Sequence, residues 1–199
     1  MINALLAIIV GYLLGSVNAS IIFSKLKGDD IRNHGSGNAG ATNTLRTYGK
    51  GVAAAVTLFD VLKGVVAVLF ARYILKDELA VLFAGFGAVL GHNYPVYFDF
   101  KGGKGILTSF AVALMVSPLS AVCALVSGVV IIAITRYVSL GSVMGSVVLA
   151  IASFFFENGN IEISVLIVVL ALLAIFRHKE NISRLINGTE RKLGEKKEN

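Results

Sequence analysis

The stretch LSAVCALVSGVVIIAIT, Leu119 to Thr135, contains no charged residue, and it decides the fold class. A second run, Leu58 to Leu75, contains only Asp60, Lys63 and Arg72 as charged residues. Of the 199 residues, 56% are hydrophobic and 15% are charged, whereas about a quarter are charged in soluble domains. Mean hydropathy is +0.79. Long apolar blocks with charges between them predict helices that lie in lipid.

Apolar blocks between polar breaks predict a single all-α integral-membrane domain over residues 1–199. The seven predicted helices are Ile2–Phe23, Gly51–Leu75, Leu79–Phe98, Gly105–Val116, Pro118–Ile134, Leu140–Phe156 and Ile163–Phe176. The fourth would rise only about 18 Å, against a hydrocarbon core of about 30 Å. It forms either a half-span that returns as a hairpin or one of two short tilted helices, with a turn or helix start at Ser117-Pro118.

Basic residues predict the orientation, because Lys and Arg are enriched in cytoplasmic connections. Alternate connections place only Arg72 and Lys76 on one side. The other side has fifteen: Lys25, Lys27, Arg32, Arg46, Lys50, Lys101, Lys104, Arg136, Arg177, Lys179, Arg184, Arg191, Lys192, Lys196 and Lys197. The N-terminus is therefore predicted to be extracytoplasmic and the C-terminus cytoplasmic. Because topology accounts for the net charge of +6, and no basic helix face with stacking aromatics is present, no nucleic-acid partner is predicted.

The densest polar segment is GSGNAGATN (35–43), followed by Arg46. Glycines allow consecutive backbone N–H groups to point into one concavity that suits an anion. Arginine adds a charged fork for phosphate oxygens. The segment matches the dinucleotide pattern G-x-G-x-x-G in form only, since a membrane helix precedes it instead of a strand. A flexible connection is the alternative. The anion ligands proposed here are Ser36, Gly37, Asn38, Asn43 and Arg46.

A second glycine segment, FKGGKG (100–105), combines Lys101 and Lys104 with three glycines at the start of a helix. This combination also favours anion binding. His92, which precedes it, is predicted to hydrogen-bond the turn before Pro95, with a role as a base as the alternative. Within the second span, Asp60 and Lys63 have the spacing of a pair on one helix face. These two residues and His92 are predicted to support the site structurally.

Two further segments contain polar residues near helix ends. Ser139 and Ser142 follow Arg136, where serines are usually helix caps. After the last span, His178 and Asn181 lie three residues apart and would share a helix face. The single cysteine, Cys123, lies in an apolar block and is predicted to be a buried structural thiol.

Five segments together resemble one family, the acyl-phosphate-dependent glycerol-3-phosphate acyltransferases of bacterial membranes, or PlsY family. The segments are GSGNAGATNTLR (35–46), DVLKG (60–64), GHNYPVYFDFKGGKG (91–105), RYVSLGS (136–142) and HKENISRLINGTE (178–190). The family fold has seven spans with the N-terminus outside, in agreement with the basic-residue argument. Ile106-Leu107 and Lys179 depart from the commoner pattern without replacing a named ligand.

The resemblance implies transfer of an acyl chain from acyl phosphate to the 1-hydroxyl of glycerol 3-phosphate, without a cofactor. It implies that Ser36, Arg46 and Lys104 are essential at the phosphate site. Ser142, His178 and Asn181 match residues that orient the substrate. It also implies a bacterial plasma membrane location, a site facing the cytoplasm, and a soluble partner enzyme that supplies acyl phosphate.

Acyl phosphate is already activated, so the glycerol hydroxyl can attack directly without an enzyme nucleophile. A substrate phosphate oxygen is predicted to accept the hydroxyl proton, and His178 is the competing base. No histidine is followed five residues later by aspartate, which argues against the acyl-CoA-dependent class. Scattered histidines predict no metal site. An anion transporter and a structural membrane protein are the rival functions.

A reporter enzyme fused after Asn199 is expected to be active in the cytoplasm, because the basic connections place the C-terminus there. The same reporter fused after Lys76 should be inactive, because this connection is predicted to be extracytoplasmic. An extracytoplasmic signal from the Asn199 fusion would overturn the predicted orientation.

Overall fold

The structure is a computed structural model that describes residues 1–157 and 159–195. Every regular element in these residues is helical, which confirms the predicted all-α fold. The chain forms two compact units, Met1–Met115 and Val116–Asn199. Lys196 and Lys197, which belong to the predicted basic tail, lie outside the described residues.

The first unit consists of apolar helices joined by glycine-rich loops. Its helices are α1 (Ile2–Ser16), α2 (Ala19–Leu26), α3 (Ala41–Tyr48), α4 (Lys50–Leu69), α5 (Glu78–Asn93) and α6 (Ile106–Val116). A π-helical segment, Phe70–Leu75, continues α4, and 3-10 turns lie at Ile31–Asn33 and Val96–Phe98. The predicted first span is interrupted between Ser16 and Ala19, where the backbone is extended.

The second unit contains α7 (Pro118–Thr135), α8 (Val138–Phe156), α9 (Ile161–Arg177) and α10 (Lys179–Ile186). Pro118 is the first residue of α7, which confirms the predicted helix start. Proline suits this position because its ring sets a helical φ and no N–H is lost from the helix. Cys123, on α7, is predicted from the sequence to be buried, but in the structure it is only partly buried. Helices α9 and α10 are bent by 57° relative to each other.

All seven predicted apolar segments are helical. Five are long and apolar enough to cross a membrane, namely Ile2–Leu26, Lys50–Leu75, Glu78–Phe98, Pro118–Thr135 and Val138–Phe156. The bent pair of α9 and α10 makes a sixth if its two parts form one span. Helix α6, with 11 residues, is the short fourth helix. The number of crossings and the sidedness of the termini remain predictions.

Close packing of α1 against α5 depends on four glycines. Gly11 and Gly15 lie on α1, and Gly87 and Gly91 lie on α5. A Cβ atom on any of them would collide with a backbone carbonyl group of the opposite helix. Small residues therefore bring these two helices together.

Replacing Gly15 with alanine is expected to lower the unfolding temperature in detergent, because the new methyl group meets the Ala88 carbonyl. Overpacking typically costs about 1–3 kcal/mol. Gly51→Ala is the matched control, since a Cβ there meets no atom within 4 Å. Equal melting temperatures for the two variants would contradict the packing argument.

Candidate active site

The first glycine loop, residues 35–40, is held by the buried side chain of Asn43. The Asn43 amide donates to the carbonyl oxygens of Ile31 (3.2 Å) and His34 (2.9 Å). Its Oδ1 atom accepts from the Ser36 N–H at 3.0 Å. The shape of the loop therefore depends on this side chain. Direct phosphate binding by Asn43 remains a prediction beside this observed structural role.

Several N–H groups of the first glycine loop are used inside the loop itself. Besides Ser36, Gly37 donates to the His34 carbonyl (2.9 Å) and Gly40 to the Asn38 carbonyl (3.1 Å). Gly37 has φ +70°, a conformation that favours glycine. These three N–H groups therefore have partners within the protein, and anion binding by the loop remains a prediction.

The groups around the first glycine loop still offer donors to an anion. The Ser36 residue is exposed, while Asn38 and Arg46 are partly buried. Helix α3 begins after Gly40 and has no side-chain cap. The first-turn N–H groups of an α-helix have no partner within the helix, and they attract anions. The loop, the start of α3 and Arg46 therefore lie on one short stretch of chain, the one for which the sequence predicts phosphate binding.

Residues of α2 anchor this stretch, and the sequence prediction did not include them. Asn18 caps α2 by accepting from the Ile21 N–H (3.1 Å) and donates to the Ala39 carbonyl (3.2 Å). The Ser20 hydroxyl lies 2.7 Å from the Thr44 hydroxyl, which donates to the Gly40 carbonyl. Their signal in the sequence is weak, since it consists only of Asn18 and Ser20 interrupting an apolar run.

Arg32 joins the segment before the first glycine loop to the 3-10 turn Val96–Phe98. Its guanidinium forms two parallel bonds with the Asp30 carboxylate, from Nε to Oδ1 at 3.0 Å and from Nη2 to Oδ2 at 2.7 Å, and donates to the Phe98 carbonyl at 3.0 Å. The hydrogen bond from Arg32 lowers the pKa of Asp30 below its usual value. Arg32 therefore has a structural role in addition to its predicted place among the cytoplasmic basic residues.

The second glycine loop, residues 101–105, folds back against the end of α5. Gly102 donates to the Asn93 carbonyl (3.2 Å) and Gly103 donates to the His92 carbonyl (3.1 Å). A Cβ atom on Gly103 would collide with the His92 ring. These two glycines are therefore required for close packing, and their N–H groups are used within the protein. Anion binding by the second glycine loop, which the sequence favours, remains a prediction.

The two lysines of the second glycine loop differ in exposure. Lys101 is exposed, whereas Lys104 is partly buried. Lys104 directly precedes Gly105, which has φ +77°, and α6 starts at the next residue. The loop therefore presents its cations beside the positive end of a helix.

Asp60, Lys63 and His92 form a buried cluster, and the His92 ring packs against Gly103 of the second glycine loop. The Lys63 Nζ atom lies 2.9 Å from Asp60 Oδ1, which confirms the predicted pair. It also lies 2.7 Å from His92 Nδ1 and donates to the Val17 carbonyl at 3.2 Å. The sequence predicts that His92 hydrogen-bonds the turn before Pro95. In the structure, the Nδ1 atom of His92 contacts Lys63 instead.

The second unit contains three predicted ligands. Ser142 lies on α8, His178 lies between α9 and α10, and Asn181 lies on α10. The Ser142 hydroxyl donates to the Val138 carbonyl at 2.9 Å. His178 is buried, and its Nδ1 atom lies 2.7 Å from the Ala174 carbonyl oxygen. Because a carbonyl oxygen only accepts, Nδ1 carries a proton, and Nε2 is the acceptor nitrogen of the neutral ring.

Glu190, which the sequence prediction did not assign, is the centre of a polar cluster in the second unit. Its carboxylate accepts from Ser139 Oγ, Asn181 Nδ2 and Arg184 Nε, each at 2.7 Å. Burial alone would raise the pKa of Glu190, but the hydrogen bonds from Arg184, Ser139 and Asn181 lower it below its usual value. Glu190 thereby holds Asn181 in place. In the sequence, the only indication of a role for Glu190 is its position in the GTE segment, residues 188–190.

The first unit thus contains Ser36, Gly37, Asn38, Asn43, Arg46, Lys101 and Lys104, with Asp60, Lys63 and His92 below the second glycine loop. The second unit contains Ser142, His178 and Asn181. Among the described residues, no group of three or more His, Cys, Asp or Glu side chains could hold a metal ion.

Known proteins are similar to this sequence over nearly its whole length. The sequence profile of the family described as glycerol-3-phosphate acyltransferase matches residues 5–188. A glycerol-3-phosphate acyltransferase of Thermoanaerobacter sp. (strain X514) is 50% identical over 98% of both chains. One of Thermus thermophilus is 42% identical over 100% of this chain and 99% of its own.

Two solved structures share the fold. The glycerol 3-phosphate form of PlsY (YgiH), an integral membrane glycerol 3-phosphate acyltransferase, matches with a TM-score of 0.88, at 39% identity over 96% of both chains. Its lysophosphatidic acid form matches with a TM-score of 0.85 at 38% identity, over 96% of this chain and 95% of that one. Fold and sequence together define an integral membrane acyltransferase. The chain belongs to the glycerol-3-phosphate acyltransferase family of the PlsY type.

Replacing Glu190 with glutamine is expected to lower the unfolding temperature at neutral pH, because it removes the charge that faces Arg184. The lowered pKa of Glu190 means that its charge stabilises the fold above the pKa of the unfolded state, about 4.3 for a glutamate. This stabilisation is lost as the pH falls through the lower folded-state pKa. Thermal unfolding should therefore show a gap between wild type and variant that narrows toward acidic pH.

Glu180→Gln is the matched control, because the Glu180 carboxylate is 75% exposed and 4.0 Å from Arg184. It should unfold like the wild type at every pH. A gap for Glu190→Gln that stays constant with pH would contradict the assigned role of its charge.

Proposed function

We propose that the protein transfers an acyl chain from acyl phosphate to the 1-hydroxyl of glycerol 3-phosphate, the first acylation of bacterial phospholipid synthesis. The observation that carries this proposal is the similarity to PlsY, which has been solved in a glycerol 3-phosphate form and a lysophosphatidic acid form. These two molecules differ by one acyl group, so they are the acceptor and the product of such a transfer.

The reaction needs no covalent enzyme intermediate. The 1-hydroxyl oxygen attacks the acyl carbon, a new ester C–O bond forms, and the bond from that carbon to the phosphate oxygen breaks. Phosphate leaves with the electron pair, and the hydroxyl proton passes to an acceptor. The products are 1-acyl-glycerol 3-phosphate and phosphate. The mixed anhydride supplies the activation, so the protein mainly has to position two anions and stabilise the departing one.

Cationic and hydroxyl groups of the first unit are proposed to bind phosphate. Arg46 presents a planar fork that matches phosphate oxygens, and Ser36 offers an exposed hydroxyl. Lys104 and Lys101 add point charges beside the start of α6. Gly37 and Asn38 shape the first glycine loop, and Asn43 supports it through its three bonds to the loop backbone.

Ser142, His178 and Asn181 of the second unit are proposed to orient the substrate. A phosphate oxygen of a substrate is proposed as the proton acceptor, and His178 is the competing base. The bond between Nδ1 and the Ala174 carbonyl favours a neutral ring whose Nε2 atom accepts a proton, which supports His178 as the competing base.

The site is proposed to face the cytoplasm from a bacterial plasma membrane. The fifteen basic residues predicted on that side support this orientation. A soluble enzyme that makes acyl phosphate would then supply the donor from the cytoplasmic side. Both phosphorylated substrates would meet the cationic loops without crossing the membrane.

Purified protein given acyl phosphate and glycerol 3-phosphate should release phosphate in proportion to acylated product. Arg46→Ala should lower kcat/KM for glycerol 3-phosphate by about 10- to 100-fold, as expected for the loss of one charge-assisted hydrogen bond. Lys50→Ala removes an exposed cation four residues away and should leave the rate unchanged. Wild-type protein that is inactive with acyl phosphate but active with another acyl donor would overturn the proposed donor.

The same assay identifies the proton acceptor. If a substrate phosphate accepts the proton, His178→Ala should retain the pH dependence of kcat at a lower rate. A variant that binds glycerol 3-phosphate normally but loses that dependence would identify His178 as the base.

A further inference from the structure

The ammonium group of Lys63 has no role in the reaction proposed above, yet it is buried and contacts Val17, in the interruption between α1 and α2, and His92, near the end of α5. The Lys63 side chain is 7% exposed and the Asp60 side chain 3%. An ionised group in such surroundings is costly unless it is paired and hydrogen-bonded. Lys63 has three short contacts: the Asp60 carboxylate, His92 Nδ1 and the Val17 carbonyl.

The first path from Lys63 leads to the second glycine loop. An ammonium group has only donors, so Lys63, when paired with the Asp60 carboxylate, donates to His92 and Nδ1 accepts. The ring proton of His92 is then on Nε2, the atom that a Cβ on Gly103 would strike. The backbone of Gly103 also donates to the His92 carbonyl at 3.1 Å. The orientation of the His92 ring therefore determines how closely Gly103 can approach.

The second path leads to the first glycine loop. Lys63 donates to the Val17 carbonyl, which lies at the interruption between α1 and α2. The next residue, Asn18, donates to the Ala39 carbonyl. The two paths converge, because a Cβ atom on Gly103 would also lie 2.9 Å from the Ala39 carbonyl oxygen. One buried ammonium group therefore connects to both loops.

We propose that Lys63 is a positioning residue for phosphate binding: through His92 and Val17 it sets the relative position of the first and second glycine loops. The residue does not contact substrate in this proposal. Instead, the loops hold Ser36, Arg46 and Lys104 at the spacing that the phosphate group of glycerol 3-phosphate requires. This inference rests on the proposed binding of glycerol 3-phosphate.

The double variant Asp60→Asn/Lys63→Met tests the proposal, because it removes the ammonium group without leaving an unpaired buried charge. KM for glycerol 3-phosphate should rise by about 10- to 100-fold, the effect of losing a charge-assisted hydrogen bond, whereas kcat should change less. A solely structural role would reduce the active fraction, and hence apparent kcat, and leave KM unchanged. Melting temperature and gel filtration in detergent measure the folded fraction.

His92→Leu provides a second, independent variant that interrupts the first path alone. It should raise the same KM, and combining it with the double variant should give less than the sum of the two free-energy effects, since both act through one contact. Lys50→Met, at the exposed start of α4, is the matched control and should leave KM unchanged. Additive effects, or an unchanged KM in the folded double variant, would overturn the proposal.

Calorimetric titration of each protein with glycerol 3-phosphate alone separates this inference from the proposed function. Wild-type protein that does not bind glycerol 3-phosphate would overturn the proposed function. Wild-type protein that binds it, with the same affinity as the double variant, would overturn only the role of Lys63.

Discussion

The first unit depends on how the charge of Lys63 is accommodated inside an apolar helix bundle. A buried ammonium group needs a counter-ion and hydrogen-bond acceptors, since burial separates it from bulk water. Asp60 supplies the counter-ion one helical turn away. The Val17 carbonyl and His92 supply the remaining acceptors. A continuous first helix would have used the Val17 carbonyl internally, so the interruption after α1 and the burial of Lys63 are consistent with each other.

The two glycine loops are held by hydrogen bonds to their surroundings, although a glycine-rich sequence by itself also allows a flexible connection. Each loop uses backbone N–H groups to bind carbonyls or a side chain of its own surroundings, such as Asn43 and His92. Glycine is required at Gly103 because the His92 ring leaves no space for a Cβ atom. The phosphate binding proposed above would therefore rest on side chains and helix starts that these loops position, as the proposed direct reaction of two anions requires.

The second unit uses the opposite arrangement, with a carboxylate at the centre and donors around it. Glu190 accepts from Ser139, Asn181 and Arg184, which come from α8 and α10. A carboxylate with three donors is well satisfied, so it can be buried at low cost and can hold helices in a fixed relation. Asn181, predicted from sequence as a ligand, is thereby part of a supporting cluster within its own unit.

The sequence by itself determined the helical membrane class, the seven apolar segments, the helix start at Pro118 and the pairing of Asp60 with Lys63. These features follow from hydropathy and from spacings of a few residues, which are local properties of the chain. Only the tertiary structure decided the interruption at Val17–Asn18, the role of Glu190, the link between Lys63 and His92, and the use of glycine N–H groups. Each of these depends on a hydrogen bond or close contact between residues distant in sequence, such as Lys63 and His92, and no local pattern specifies which distant partner a polar group will meet.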